Sequence, residues 1–411
     1  MGVHINIREL HHHNRPYVFL PPKCSSISQR NVCLKLPVRL QSISLRDWSS
    51  RFVVRRHISN NIVNQIDRNE PQEYTPISSQ NPEKKAASNS ILDVLQNANS
   101  ILPQVVVIST IVAFIHPSSF TWFTSRYYGP ALGFLMFAVG LNLREEDFTE
   151  AFKSPAPIFC GLFGQFAIKP LLGFLLGTLS TSLFRLPSSL SDGIMLTSCV
   201  NGAQLSNYAT FLTDPTMAPL SIVMTSLSTA SAVFFTPFLS LLLLGKRLNV
   251  DVHGMVSNIL QIVISPVAAS LIVNRFFPRI SCAIRPILPP ISLVVNFFCV
   301  GAPLAINMES IMSPFGISIA FIMIMFHLSG FILGYSFTGI LFHNEPRVQA
   351  LQRTLSYETG MQSSLLALAL ANKFFQDPLI GIPPAISVVV MSLMSFSLAK
   401  IWAKKETEVA I

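Results

Sequence analysis

The sequence predicts an all-α polytopic membrane protein, with about ten transmembrane helices in two inverted five-helix repeats and with the fourth and ninth helices broken. Three observations predict it. Of 411 residues, 50% are hydrophobic and only 12% are charged, against about 25% charged in an average soluble domain. The apolar residues fall into runs of about 20, the length that crosses a hydrocarbon core ~30 Å thick. Two of those runs, at corresponding places in the two halves, are interrupted by glycine and clustered polar side chains.

Residues 1–65 carry ten basic residues (Arg8, Arg15, Lys23, Arg30, Lys35, Arg39, Arg46, Arg51, Arg55, Arg56) against Glu9 and Asp47, with serines and no long apolar run. This is transit-peptide composition. A secretory signal needs a compact apolar core near the start, so import into a plastid or mitochondrion is expected, with a disordered basic arm as the alternative. Residues 66–95, rich in Asn, Gln, Pro, Ser and Glu, read as a polar spacer. Much of the net charge of +9 belongs to this leader and the rest is scattered over short loops, which excludes a nucleic-acid partner and leaves the lipid bilayer as the medium. The six cysteines show no CxxC or ladder spacing, so no disulfide framework is implied.

The runs centre on Ile101–Phe120, Gly129–Leu143, Ile158–Leu179, Ser189–Leu212 and Met217–Leu244, then on Met255–Val273, Ile284–Ala305, Phe315–Phe342, Val348–Phe374 and Leu379–Trp402. Residues 96–248 are thus expected to form the first repeat and 249–404 the second, with 405–411 as a C-terminal tail. A unit of about five crossings is odd, so its second copy enters from the opposite face, which makes the repeat inverted. Arg144, Lys153, Arg275, Arg279, Arg285, Arg347 and the Lys400, Lys404 and Lys405 tail fall on one side of this topology, which is read as facing the organelle interior together with both termini.

The fourth run contains Asn201-Gly202-Ala203-Gln204-Leu205-Ser206-Asn207, and the ninth contains Ser356-Tyr357-Glu358-Thr359-Gly360-Met361-Gln362-Ser363-Ser364. Polar groups at membrane depth are costly, by about 2.5–3.5 kcal/mol for a central charge, so they face protein or a water-filled cavity. Packing through small residues explains Gly202, Ser363 and Ser364. It leaves the carboxylate of Glu358 without a reason. Paired interruptions in two halves point to a transport site, because unwinding frees carbonyls for cations and N–H groups for anions. Glu358 and Gln362 lie one helical turn apart, as do Ser221 and Thr225 on the fifth run, and with Ser206 and Asn207 they are candidate oxygen donors to a hard monovalent cation. A hydroxyl in an apolar helix also bonds back to its own backbone, which is the competing reading for Ser221 and Thr225. Lys169 has two readings: a side chain that snorkels near a kink at Pro170, or a positive group that balances Glu358 or meets an anion.

At these residues the chain resembles the bile acid:sodium symporter family, in its plant plastid branch. The resemblance runs from about Ile91 to Lys404. It rests on Gly140-Leu141-Asn142-Leu143 followed by Glu145-Glu146-Asp147-Phe148, on Gln165-Phe166 with Lys169-Pro170-Leu171-Leu172-Gly173, and on the two interruptions, all in order. It implies ten spans in two inverted repeats whose fourth and ninth helices cross where they unwind. It also implies Na⁺ sites at Ser206, Asn207, Ser221, Thr225 and Glu358, and at Gln165, Glu358, Thr359, Met361 and Gln362, some through backbone carbonyls. Glu358, Asn207 and Gln362 are the principal metal ligands, and Asn201, Gly202, Gly360 and Lys169 are candidates for the substrate path. The implied activity is sodium-coupled transport of a small organic anion, a 2-oxo acid or related monocarboxylate, across the plastid inner envelope, with Na⁺ as coupling ion and no cofactor. A proton-coupled or uncoupled carrier and a non-transporting receptor or scaffold stay open beside it. An enzyme is not expected, since HExxH, P-loop and GxSxG patterns are absent and His327 stands alone on its helix. Two departures bear on the carry-over: Asn201-Gly202 replaces the family's Gly-Gly, and the loop Thr213-Asp214-Pro215-Thr216 needs one inserted residue to align Ser221.

Overall fold

The computed structural model describes residues 98–142 and 155–409, with side chains from 101 to 141 and from 155 to 403. The transit segment at 1–65, the spacer at 66–95, the Glu145-Glu146-Asp147-Phe148 motif and the side chains of the tail lie outside the described residues. Every regular element described is helical. In chain order these are α1 (Ala98–Ile115), α2 (Ser125–Asn142), α3 (Pro155–Phe163), α4 (Lys169–Ser182), α5 (Ser188–Cys199), α6 (Leu205–Thr213), α7 (Ala218–Leu244) and α8 (Val252–Ile259). They continue with α9 (Ser265–Phe276), α10 (Pro278–Ile284), α11 (Leu288–Ile306), α12 (Met308–Ile311), α13 (Pro314–Leu341), α14 (Val348–Gly360), α15 (Ser364–Phe374) and α16 (Ile382–Val409).

Six helical stretches are long and apolar enough to cross a membrane, at Pro155–Ser182, Pro215–Leu244, Val252–Phe276, Leu288–Ile306, Pro314–Leu341 and Pro378–Ala403. The remaining apolar runs of the sequence are shorter or divided. The fourth run is split into α5 and α6 and the ninth into α14 and α15. The first helix stops at Ile115, short of the expected Phe120, because Pro117 cannot continue it and a 3-10 turn follows.

Two of the long stretches contain a π turn, Gly164–Ile168 between α3 and α4 and Leu260–Ile264 between α8 and α9. Each π turn ends two residues before a proline, Pro170 and Pro266. A proline removes one N–H and crowds the carbonyl four residues back. Widening the preceding turn, so that Lys169 N–H reaches Gly164 O and Ser265 N–H reaches Leu260 O, accommodates this without breaking the rod. The chain therefore stays helical through Pro170.

The surface and interior are reversed relative to a soluble globule. Phe159, Phe234 and Ile340 are 70–75% exposed, whereas Glu358, Lys169, His327, Gln362 and Ser221 are fully buried. This is the distribution a hydrocarbon solvent imposes on a helical bundle with a polar centre. One layer is made of α1 against α11 and α2 against α9. The other holds α4 against α5, α13 against α14 and α16, and α16 against α6. The two layers meet where α15 packs on α2 and α16 packs on α1 and α11.

Candidate cation site at the helix crossing

The two breaks meet. α5 ends where Val200 turns extended at φ −87°, ψ 163°, and α14 ends where Met361 does so at φ −104°, ψ 132°. The freed links pair antiparallel at Gly202 and Gln362. Ser363 N donates to Asn201 O at 2.8 Å and Ala203 N to Met361 O at 3.3 Å. An unwound backbone is tolerated at membrane depth only where protein satisfies it, and here each link supplies the other. Gly202 leaves room for the Gln165 amide, because a Cβ there would meet its Nε2 at 2.5 Å and push it off its partners. Gly360 is required for another reason: its Cβ would run into the Phe331 ring.

Glu358 sits in the last turn of α14 and its carboxylate points at the α6–α7 side of the crossing. Oε1 accepts from Ser206 Oγ at 2.7 Å and Ser221 Oγ at 2.6 Å, and lies 3.1 Å from Thr225 Oγ1. Oε2 accepts from Gln165 Nε2 at 3.1 Å and is 3.2 Å from Thr225 Oγ1. Asn207 Oδ1 lies 2.9 Å from both Ser221 Oγ and Thr225 Oγ1. Ser206 Oγ also reaches Ala203 O at 2.8 Å, and Thr225 Oγ1 reaches Ser221 O at 2.9 Å.

Each hydroxyl has one proton to give. The hydroxyls of Ser206, Ser221 and Thr225 and the Gln165 amide supply protons to the two Glu358 oxygens and Asn207 Oδ1, and the Ala203 carbonyl that Ser206 also reaches takes the Ser206 N–H at 3.1 Å. What the cluster gathers is a carboxylate, an amide oxygen and three hydroxyl oxygens at one buried point. That set of neutral oxygens around one carboxylate is the donor chemistry of a hard ion.

The second set of expected ligands is placed differently. Gln165 Oε1 accepts from Gly202 N at 3.3 Å, which fixes the amide orientation and turns Nε2 toward both Glu358 O and Glu358 Oε2, each at 3.1 Å. Met361 O takes the Ala203 N–H, and Gln362 O takes the Ser364 N–H at 2.7 Å. Thr359 lies against Gly164 in the π turn. The structure thus gathers all of Gln165, Glu358, Thr359, Met361 and Gln362 around the crossing, with protein donors already on several of their acceptors.

A cavity of about 640 Å³, its mouth included, opens between the two layers beside the crossing. Gln204, Tyr208, Asn296, Ser363 and Ser364 give it polar groups, and Met136 and Val300 give it apolar wall. None of the residues assigned to a path from the sequence, Asn201, Gly202, Gly360 and Lys169, lines this cavity. Asn201 Nδ2 bonds Thr229 Oγ1 at 3.0 Å and Gly202 N also donates to Ser228 Oγ at 3.2 Å, both on α7. Sequence reasoning missed Ser228 and Thr229, although with Ser221 and Thr225 they continue one helical face. It also missed Tyr208, Ser292 and Asn296, the last two spaced i, i+4 on α11.

Lys169 does not snorkel. Its side chain is fully buried, its Nζ lies 3.4 Å from the Phe326 ring centre and 3.4 Å from Gly360 O. No ion pair joins it to Glu358 among the described residues.

Comparison with known proteins agrees with this architecture. The profile of the sodium bile acid symporter family matches residues 129–314. The chain is 57% identical over 400 residues to the protein named probable sodium/metabolite cotransporter BASS6, chloroplastic, of Arabidopsis thaliana, covering 97% of this chain and 94% of that one. It is 61% identical over 318 residues, 77% of this chain and 79% of the relative, to the protein named probable sodium/metabolite cotransporter BASS5, chloroplastic, of Oryza sativa subsp. indica. At 39% identity over 323 residues, 78% of this chain and 74% of the relative, it is similar to the BASS3 protein of the same description from Oryza sativa subsp. japonica. With a helix crossing buried at its centre and this similarity along nearly its whole length, the chain belongs to the bile acid:sodium symporter family, a family of membrane transporters and not of enzymes.

Proposed function

We propose that the protein is a sodium-coupled secondary transporter of a small organic anion, a 2-oxo acid or related monocarboxylate, in the inner envelope of the plastid. The observation that carries the reading is the convergence of a buried carboxylate, an amide oxygen and three hydroxyls on the helix crossing, beside an open cavity between the layers. Sodium at Ser206, Asn207, Ser221, Thr225 and Glu358 neutralises the carboxylate and ties α6 and α7 to α14. A second ion at Gln165, Glu358, Thr359, Met361 and Gln362 requires the Gln165 amide to move off the Glu358 oxygens. The anion occupies the cavity, where the amides of Gln204 and Asn296 and the hydroxyls of Tyr208 and Ser363 supply hydrogen-bond donors and no carboxylate repels it. Such a cavity, held between a layer that contains the ion site and one that does not, is opened to alternate sides when the layers rock.

The arrangement as two inverted repeats, residues 96–248 and 249–404, is supported by two regularities. The helix pairs α1 with α11 and α2 with α9 exchange when the halves are exchanged. So do the hydrogen bonds at the crossing, since Asn201, Gly202 and Ala203 stand to Met361, Gln362 and Ser363 as the latter stand to the former. The basic composition of residues 1–65 and the chloroplastic relatives support plastid import.

The test is uptake of radiolabelled pyruvate, a three-carbon 2-oxo monocarboxylate, by proteoliposomes holding the purified protein. An inward Na⁺ gradient is expected to drive accumulation above equilibrium, and replacing Na⁺ by K⁺ at constant pH to abolish it. Equal uptake in the two salts sinks sodium coupling.

A further inference from the structure

The crossing also holds a buried cation that sodium coupling leaves without a task. Lys169 on α4, four residues after Gln165, is fully buried. Its Nζ lies over the Phe326 ring, 3.4 Å from the ring centre, and 3.4 Å from Gly360 O, the carbonyl of the last residue of α14. Gly330 on α13 leaves the room for it, because a Cβ there would stand 3.1 Å from Nζ. A ring face attracts a positive charge through its quadrupole, and the C-terminal end of a helix does so through its last carbonyls. Such a seat holds an ammonium in a membrane interior without a carboxylate.

The seat adjoins the second of the two expected ion sites. Glu358 O accepts from Gln165 Nε2 at 3.1 Å, Met361 O from Ala203 N at 3.3 Å, and Gly360 O from His327 Nδ1 at 2.8 Å while it also faces Nζ. The backbone oxygens at this end of α14 therefore have protein partners, and one partner is a charge that cannot diffuse away. A second Na⁺ has to displace the Gln165 amide and then settle beside an ammonium, and like charges repel strongly in a low-dielectric interior. The first site meets no such obstacle. Its ligands on α6 and α7 bond to Glu358 and to one another, and none of them bonds to Lys169.

The charges at the crossing can be counted. Glu358 and Lys169 sum to zero before any ion binds. Arg353 stands five residues before Glu358, toward the start of α14, and Asp192 is paired with Arg247 at 3.3 Å at the far ends of α5 and α7. One Na⁺ with one monoanion keeps the sum at the crossing at zero. Two Na⁺ with a monoanion, or one Na⁺ with a dianion, leave a net charge at membrane depth, where it is costly.

We infer that Lys169 is a tethered cation that takes the place of the second Na⁺, so that one Na⁺ moves with one monocarboxylate and the cycle carries no net charge. This rests on the transporter reading above and narrows it to the first of its two ions. Lys169 keeps its proton throughout, and no covalent bond is made or broken.

The experiment counts ions. In proteoliposomes, radioactive sodium and labelled pyruvate are expected to enter the wild-type protein one for one. In Lys169→Met the ratio is expected to rise to two. A potassium-diffusion potential of ~60 mV, inside negative, is expected to leave wild-type accumulation unchanged and to raise that of Lys169→Met about tenfold, the effect of one net charge. A wild-type ratio of two, or a tenfold wild-type response to the potential, overturns the inference and spares the transporter; absence of any Na⁺-driven uptake strikes the transporter reading instead. A readout independent of substrate is equilibrium binding of radioactive sodium to the purified protein. Wild-type protein is expected to saturate at one ion per chain and Lys169→Met at two. Two ions in the wild type, or one in both, overturn the proposal. Lys169→Gln, which keeps a hydrogen-bond donor and lacks the charge, serves where the Met variant does not fold, and the wild-type counts decide without either.

Discussion

The two sides of α14 at the crossing present opposite conditions. Toward α6 and α7, Glu358 is surrounded by the side-chain oxygens of Ser206, Asn207, Ser221 and Thr225. Toward α13 and α16, His327, Ser387 and Ser364 form a line in which each group has a partner whichever way the protons point. Both sides are buried, and both are made of side chains that a lipid-facing helix would exclude. Polarity inside a membrane bundle therefore does not by itself make two sites alike: one side gathers oxygens on a carboxylate and the other has no carboxylate in its line.

That contrast is broken most directly at Glu358. Glu358→Gln keeps the shape, removes the charge and adds two amide protons, so the half-saturating Na⁺ concentration for uptake is expected to rise by more than the ~10–100-fold that loss of a supporting ligand costs. Retained sodium dependence at wild-type concentration refutes the cation site. A smaller effect is expected at Thr225, where Val keeps the volume and deletes one oxygen. Sodium half-saturation measured by uptake should rise about tenfold, the equivalent of ~1.4 kcal/mol for one ligand, and Thr225→Ser should restore most of it. The smallest is at Ser356, two residues before Glu358, whose hydroxyl donates to Phe331 O at 2.8 Å on the α13 side. Ser356→Ala is expected to cost about 1 kcal/mol in thermal unfolding and to leave sodium half-saturation alone. A shift of sodium affinity there would mean that the two sides of α14 are not distinct.

The helices were legible because apolar runs bounded by proline and charge survive any tertiary context, and the two breaks because glycine and amides interrupt them. Glu358, Ser206 and Asn207 were legible for the same reason: a charge or an Asn in an apolar run has few local excuses. Ser221 and Thr225 carried a weaker signal, since the same hydroxyls could have bonded only to their own helix, and Thr225 does bond Ser221 O as well as the cluster. What was not legible depends on distant partners. His327 meets Gly360 and Ser387, 33 and 60 residues away, and nothing in its own helix announces them. Lys169 read either as a side chain snorkelling near Pro170 or as a positive group facing Glu358 or an anion; the Phe326 ring that receives it is on another helix. The π turns before Pro170 and Pro266 were missed because a proline in a run is ordinarily scored as a kink, whereas here the helix widens in advance.

The splice of Asn201–Ala203 to Met361–Ser363 also has a mechanical meaning. A severed helix is normally where a bundle bends, since no continuous ladder of bonds resists torsion there. Here two backbone hydrogen bonds tie each cut to the other, so a bend at either break has to strain both.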